Sequence, residues 1–295
     1  MRRLVAAVLL ALSTASAAVS AFAEESTKRP RIRPHVVGGN TASIWTFPYQ
    51  VGLLLPGGAY CGGSMFFGKY RRLVVTAAHC LYDANNKKRS PNDLYVVIGK
   101  SSLSEPADIG GGVDEIYVYS GYDPTKNDHD IAVLALARNT SLIIPQKPSY
   151  AFKFAVKDPV TDTALTLTGY GQTVATDADS NNATRTLMAA TVKLVSKDTC
   201  NKPDSYNGEI TDGMLCAGFA AGGVDSCEGD SGGPLVDNSS GTPVLVGIVS
   251  WGDGCAKPKK YGVYTRVSYY RRWLECFQDV GWGYGSSNER FSECN

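Results

Sequence analysis

A glycine-rich segment around one serine constrains this chain more than any other feature. Residues 225–234 read DSCEGDSGGP. Glycines 229, 232 and 233 let the backbone turn tightly around Ser231 and direct amide N–H groups toward one point. A serine hydroxyl is a weak nucleophile that needs a positioned base and donors for the oxyanion it creates. The segment therefore indicates a nucleophilic serine, against the alternative of a polar surface turn.

A histidine follows an apolar run that is typical of a buried strand. The run, residues 74–78, leads directly into His79 and Cys80, and the chain has only two other histidines, at positions 35 and 129. A cysteine beside the histidine can tether its backbone through a disulfide, and a fixed backbone is what a general base requires. We therefore predict that His79 is the base, against the alternative of a structural histidine.

A carboxylate precedes a second apolar run, residues 131–136. Asp130 abuts that run, so its side chain can point inward, where an unpaired charge would be costly. A neighbouring imidazole N–H would satisfy the carboxylate and fix the tautomer of the ring. Asp130 is the predicted partner of His79, and Asp128 is the alternative.

Five motifs occur in one order along residues 36–275: VVGGN, TAAHC, DIAVLAL, GDSGGP and VSWG. Over this range the chain resembles the trypsin/chymotrypsin-like serine proteases. The resemblance implies that Ser231 is the nucleophile, His79 the base and then the acid, and Asp130 its orienting group, with the N–H groups of Gly229 and Ser231 as the oxyanion hole. The alternative is a protease-fold protein that binds or inhibits without cutting. An esterase of another fold would carry its triad in the chain order serine, acid, histidine. Here the order is histidine, acid, serine, which disfavours that class.

The predicted fold is all-β. Many short Val, Ile, Thr and Tyr runs and 31 glycines favour strands, and residues 94–99, 116–119, 165–169, 191–195 and 244–250 have typical strand lengths. The resemblance implies two antiparallel six-stranded β-barrels with the site between them, at about 36–145 and 146–267. We place the crossover near residues 138–159 and a short C-terminal helix from about residue 268.

The resemblance also assigns the substrate pocket. Asp225 would lie at its base, next to Ser226, with Ser250, Trp251 and Gly252 along one wall and Gly262 in the other. The two glycines leave room for a long side chain. A carboxylate in a narrow apolar slot selects a cation, so cleavage is expected after Arg or Lys through an acyl-enzyme, against the alternative that Asp225 is a loop acid.

The N-terminal region has the pattern of a secretory precursor. Arg2 and Arg3 precede a short apolar stretch, and residues 21–23 read AFA, so we expect a signal peptide at 1–23, a pro-segment at 24–35 and a secreted product. The resemblance implies a zymogen in which the new amine of Val36 pairs with Asp230. His35 is not a tryptic site and Pro34 blocks the bond before it, so we expect a separate activating protease.

Eight cysteines fit an oxidising compartment. The resemblance implies pairs Cys61–Cys80, Cys200–Cys216 and Cys227–Cys255, and the remaining Cys276 and Cys294 would staple a C-terminal extension, residues 276–295, to the helix. No pair has C-x-x-C spacing, which disfavours a metal centre.

The charge balance limits the partners. Without residues 1–35 the chain has 23 Lys plus Arg and 26 Asp plus Glu, which argues against nucleic acid. We expect a monomer without cofactor, metal or membrane contact, whose partners are protein or peptide substrates, protease inhibitors and the activating protease. In many members of the family that this chain resembles, a calcium-binding loop begins with a glutamate after a strand-ending glycine. Here Gly99 is followed by Lys100, so calcium is not expected in the loop of residues 100–112. A sodium effect through Tyr261 and glycans at Asn139, Asn182 and Asn238 remain open.

Overall fold

The computed structural model describes residues 36–69, 71–104, 110–140, 152–171, 185–279 and 294. The expected signal peptide and pro-segment lie outside the described residues. So do Asn182 and residues 105–109, which belong to the loop where calcium is not expected. The C-terminal extension is described only at its start and at Cys294.

The first barrel contains six strands with inward-facing apolar residues. After a short strand β1 (Asn40–Thr41), these are β2 (Gln50–Leu54), β3 (Tyr60–Phe67), β4 (Arg72–Thr76), β5 (Tyr95–Ile98), β6 (Gly110–Val118) and β7 (Ala132–Leu136). They pair in the order β2-β3-β4-β7-β6-β5, and β5 pairs with β2 to close the barrel. β4 and β7 are neighbours, with Thr76 opposite Ala132. This register brings together the segments that follow β4 and precede β7.

The second barrel also contains six strands. After β8 (Lys153–Phe154) these are β9 (Ala164–Gly169), β10 (Met188–Val195), β11 (Met214–Gly218), β12 (Pro234–Asp237), β13 (Val244–Trp251) and β14 (Gly262–Arg266). β9 pairs with both β10 and β12, which closes the ring β10-β11-β14-β13-β12-β9. The prediction of two antiparallel six-stranded barrels is confirmed. The short β8 is added in parallel to β13.

The N-terminal strand differs from the expected boundary. β1 pairs with β10, Asn40 opposite Ala189, so this segment joins the second sheet although the sequence grouped it with the first barrel. The described part of the chain thus joins the second sheet at β1 before it forms the first barrel.

A C-terminal helix packs back on the first barrel. Helix α2 (Val267–Asp279) follows a one-turn helix α1 (Lys197–Cys200) in the chain and starts one residue before the predicted position. Its buried face includes Tyr270, Trp273 and Phe277, which join the core of the first barrel. Because α2 directly continues β14, the end of the second barrel is anchored on the first.

Candidate active site

The segments after β4 and before β7 bring His79 and Asp130 together. His79 lies in a 3₁₀ turn, Ala78–Leu81, that starts two residues after β4. Its backbone N–H donates to Asp130 Oδ1 at 2.8 Å, and its Nδ1 lies 2.7 Å from Asp130 Oδ2. The Cys61–Cys80 disulfide ties the histidine turn to β3. The structure therefore holds the imidazole by both its ring and its backbone.

The second barrel completes the environment of Asp130. This residue is 1% exposed. Ser250 Oγ donates to its Oδ2 at 2.6 Å, and Thr265 Oγ1 donates to its backbone carbonyl at 2.6 Å. Side chains from β13 and β14 thus fix an acid that belongs to the first barrel.

The pKa values follow from this burial and pairing. Burial alone would raise the pKa of Asp130, but the neighbouring His79 and the hydrogen bonds from His79 and Ser250 outweigh it and lower the pKa. Burial alone would lower the pKa of His79, but the charge and hydrogen bond of Asp130 outweigh it and raise the pKa. The arrangement favours an ionised Asp130 and stabilises a protonated His79.

The Ser231 turn docks against the first barrel beside His79. The backbone N–H of Gly62 donates to Ser231 O at 2.7 Å, and Cys80 Sγ lies 3.8 Å from both Ser231 O and His79 Nε2. A side chain at position 232 would overlap Thr76 Oγ1, so glycine is required there. Within the described residues Ser231 Oγ and His79 Nε2 form no hydrogen bond. Such contacts are often long in unliganded sites and shorten when substrate binds.

The Ser231 turn also carries two backbone donors, both in partly buried residues. In the part of the chain that the structure describes, the N–H groups of Gly229 and Ser231 donate to no other group. Gly229 has φ +89°, a left-handed conformation that favours glycine, and a Cβ at this position would lie 2.9 Å from the Tyr60 ring. The pair can receive a developing negative charge near Ser231.

The alternative acid, Asp128, has other partners. Its Oδ1 accepts hydrogen bonds from Thr211 Oγ1 at 2.8 Å and from the His129 N–H at 2.9 Å. His129 Nδ1 lies 2.7 Å from Tyr270 Oη on α2. Asp128 and His129 therefore connect the loop before Asp130 to the second barrel and to α2, and neither contacts His79.

Asp225, six residues before Ser231, is buried. It is 3% exposed and accepts hydrogen bonds from the N–H groups of Ser226 and Ala256 at 2.8 and 3.0 Å. Burial outweighs these bonds and raises its pKa to about 7. Among the described residues no cation pairs with it. A Cβ at Gly262 would lie 2.5 Å from Asp225 Oδ1, so glycine keeps the space above the carboxyl open.

The residues of the expected pocket wall also contact groups outside the pocket. The side chain of Ser250 is used by Asp130 and only its backbone remains for substrate. Trp251 packs edge-on against Tyr206 at 5.0 Å, and a Cβ at Gly252 would meet only Gly254 O and Tyr206 Oη at 3.3 Å or more. A cleft of about 600 Å³ beside Trp251 is lined from both barrels, by residues such as Lys126 and Glu209. Trp251 therefore belongs to the expected pocket wall and also borders this cleft.

Val36 and Asp230 both pack against the β9 region. Val36 is fully buried against residues that include Leu165 and Leu167, and its φ of +39° is strained for a β-branched residue. Asp230 accepts the N–H groups of Gly171 and Cys227 at 2.9 and 3.0 Å, and burial raises its pKa to about 7. Within the described residues no cation meets Asp230. The Asp230 carboxyl is thus buried with two backbone donors and without a counter-charge among the described residues.

The disulfides leave little capacity for a metal. All four expected pairs form: Cys61–Cys80, Cys200–Cys216, Cys227–Cys255 and Cys276–Cys294. The one group of close Cys and His ligand atoms in the described residues comprises Cys61, His79 and Cys80. Its two sulfurs are bonded to each other, so only the imidazole could bind an ion.

Sequence reasoning missed side chains that are far from Asp130 in the sequence but contact it in the fold. Thr265 and the Ser250 side chain are separated from Asp130 by 135 and 120 residues. Gly169 and Gly171 lie so close to Asp230 that any side chain there would overlap it or crowd it within 2.7 Å. Only the glycines carried a local signal, Gly169 as the last residue of a predicted strand and Gly171 two residues beyond it.

Two comparisons agree with this geometry. Residues 36–274 match the family model Trypsin. Transmembrane protease serine 11C of Mus musculus is 39% identical over 244 residues, which cover 81% of this chain and 52% of that protein. The chain therefore belongs to the trypsin family of serine proteases, which are hydrolases acting on proteins. It spans about half the length of this curated relative.

The relative's name describes a membrane-anchored enzyme. Among the described residues of this chain, no helix is long and apolar enough to cross a bilayer.

Proposed function

We propose that this protein is an endopeptidase that hydrolyses peptide bonds after Arg or Lys. The observation that carries the proposal is the buried Asp225 carboxyl, open toward substrate because Gly262 has no side chain. A carboxylate in such a site favours a cation that can make charge-assisted hydrogen bonds to it. Arg and Lys are the side chains long enough to bring a cation there.

The proposed chemistry uses the three residues in sequence. His79, neutral and held by Asp130, accepts the Ser231 proton as Oγ attacks the scissile carbonyl. The N–H groups of Gly229 and Ser231 stabilise the oxyanion. His79 then donates the proton to the leaving amine, which leaves an acyl-enzyme. Water, activated by the same imidazole, releases the acid product.

The first experiment separates this proposal from its alternative, a protease-fold protein that only binds or inhibits. The mature form, starting at Val36, is treated with a fluorophosphonate probe that reacts with activated serines. Labelling of the wild type and its loss in Ser231→Ala are expected. A wild type that binds protein partners but takes no label would favour the binding module.

The second experiment tests the specificity. A peptide library is digested with the mature form, and the cut sites are sequenced. Cuts after Arg and Lys are expected, and Asp225→Ser should reduce them while Ser231 labelling persists. Equal cleavage after Phe and Arg by the wild type would exclude the assigned pocket.

We further propose that the protein is a secreted zymogen. Trypsin-like proteases are commonly extracellular, and four disulfides suit an oxidising compartment. The buried Asp230 is proposed to pair with the amine of Val36 once the preceding bond is cut, which would order the oxyanion turn. Expression of the full chain in secreting cells should give a medium fraction lacking residues 1–23. An uncut, cell-retained product would contradict secretion.

A further inference from the structure

An exposed arginine, Arg185, lies near the Ser231 turn. The guanidinium carbon of Arg185 is 5.8 Å from the centroid of the Tyr60 ring, and its Nη2 donates to Gly58 O at 3.5 Å. The Tyr60 ring in turn borders Gly229, since a Cβ there would lie 2.9 Å from it. Arg185, Tyr60 and Gly229 therefore form one continuous surface, here called the Tyr60 ledge.

The backbone of Arg185 is held in place although its guanidinium group is exposed. The Leu103 N–H donates to Arg185 O at 2.7 Å, and the next residue, Thr186, forms a β-bridge with Ser102. The ring beneath it is held because Tyr60 Oη donates to Tyr170 O at 2.9 Å. A cation stacked on a held aromatic ring loses less side-chain freedom on binding an anion than a free one.

The direction of the substrate chain places the ledge on the leaving-group side. In the proposed reaction the scissile carbonyl lies at the N–H groups of Gly229 and Ser231, and the acyl side leads to Asp225 and Trp251. The leaving group must extend the other way, past the Cys61–Cys80 disulfide and Tyr60. An extended chain advances about 3.3–3.6 Å per residue, so two residues beyond the cut bond span about 7 Å. That span is on the scale of the Tyr60 ledge, where the guanidinium carbon lies 5.8 Å from the Tyr60 ring centroid.

We propose that Arg185 is a specificity-determining residue that selects an acidic side chain two positions after the cut bond. This inference rests on the proposed function and adds a second charge preference, opposite in sign to that of Asp225. The guanidinium has free donors toward solvent, and a carboxylate can accept two of them side by side. Exposed pairs of this kind are modest, so the expected preference is about three- to fivefold in kcat/KM.

The test uses two quenched fluorescent peptides that are identical except at that position, with Arg before the cut bond and Asp or Lys two places after it. The wild type should cleave the Asp peptide about three- to fivefold better. Arg185→Ala should bring the ratio close to one, and Arg185→Glu should invert it. The preference should shrink when salt rises from 0.05 to 0.5 M, because screening weakens exposed pairs.

Two controls separate this inference from its foundation. Lys193→Ala removes an exposed cation from β10 and should leave the ratio unchanged. An arginine 4-nitroanilide, which has no residue at the tested position, should be cleaved equally by the wild type and both Arg185 variants. If it is cleaved but the wild-type ratio is one, or Arg185→Ala keeps the ratio, the role of Arg185 is refuted. If no variant cleaves the anilide, the proposed function itself fails.

Discussion

The hydroxyl of Ser250 donates a 2.6 Å hydrogen bond to Asp130 Oδ2, the same oxygen that lies 2.7 Å from His79 Nδ1. The two donors share one oxygen, so each affects the charge that the other meets. Ser250 belongs to β13 of the second barrel, whereas Asp130 and His79 belong to the first. The relative position of the barrels therefore acts directly on the basicity of His79.

This sharing predicts a shift in the pH profile of Ser250→Ala. The Ser250 bond helps to lower the pKa of Asp130, and Asp130 helps to raise the pKa of His79. Without the hydroxyl, more of the carboxylate charge acts on the imidazolium, so the pKa of His79 should rise further. Because only neutral His79 can accept the serine proton, activity is lost as pH falls through that pKa. The acidic limb of kcat/KM should move to higher pH.

The measurement is kcat/KM on an arginine 4-nitroanilide from pH 5 to 9. Thr211→Ala serves as a control, since the Thr211 hydroxyl donates to Asp128 and not to Asp130 or Asp225. An unchanged acidic limb in Ser250→Ala would show that the shared oxygen does not couple the two groups.

Replacing Asp130 by Asn should lower kcat about 10⁴-fold at neutral pH, which is the loss known for the same change in a chymotrypsin-type Ser-His-Asp triad. The amide can donate to Nδ1, which favours the wrong tautomer. Asp128→Asn is the matched control and should lose far less, since Asp128 bonds to Thr211 and His129. Comparable turnover of Asp130→Asn and the wild type would reject the assignment of the acid.

The pocket should bind a small arylamidine cation more tightly as pH rises. Burial raises the pKa of Asp225 to about 7, so below that pH the empty pocket holds a neutral acid, and binding must release a proton. Above it the carboxylate is already charged. Calorimetry in buffers of different ionisation heat measures the released proton directly.

Asp225→Asn keeps the shape of the side chain and should abolish both the binding and its proton release. This control matters because the pKa of the nearby Asp230 is also raised to about 7. Proton release that persists with Asn at position 225 would assign the effect to Asp230 instead.

A methyl group at position 262 should close the pocket. In Gly262→Ala the added Cβ would lie 2.5 Å from Asp225 Oδ1, so either the carboxyl or the strand must move. We expect kcat/KM for arginine substrates to fall at least tenfold, with fluorophosphonate labelling of Ser231 preserved. Gly252→Ala meets nothing closer than 3.3 Å and should be milder. If both variants kept the same kcat/KM, Asp225 would not lie at the bottom of the substrate pocket.

Activation should need another protease. His35 precedes Val36, and Pro34 follows Arg33, so neither bond suits an enzyme that cuts after Arg or Lys. Ser231→Ala precursor incubated with the mature enzyme should remain uncut, whereas the same precursor carrying His35→Arg should be converted quickly. N-terminal sequencing checks both. Clean release of Val36 from the precursor with His35 would overturn the prediction.

Local patterns in the sequence predicted the strands and the meeting of His79 with Asp130, whereas the arrangement of the strands in two barrels came from the resemblance to the trypsin/chymotrypsin-like proteases. Alternating apolar runs mark strands, and acid and base lie next to two of them. The support from Ser250 and Thr265 could not be predicted, since it depends on how one barrel faces the other. The pairing of β1 with β10 was missed for a related reason: two exposed residues carry no periodicity that would assign them to a sheet. Arg185 likewise lies far from Tyr60 in sequence and has no motif.

The left-handed backbone of Val36 bears on the residual activity of the proposed precursor. A β-branched residue at φ +39° costs about 1–3 kcal/mol, and cutting the preceding bond removes that torsion. In an intact chain this cost opposes the arrangement described above, and so does the burial of Asp230 without a counter-charge. The uncut protein should therefore be a weak enzyme, and its activity should rise once the bond before Val36 is cut.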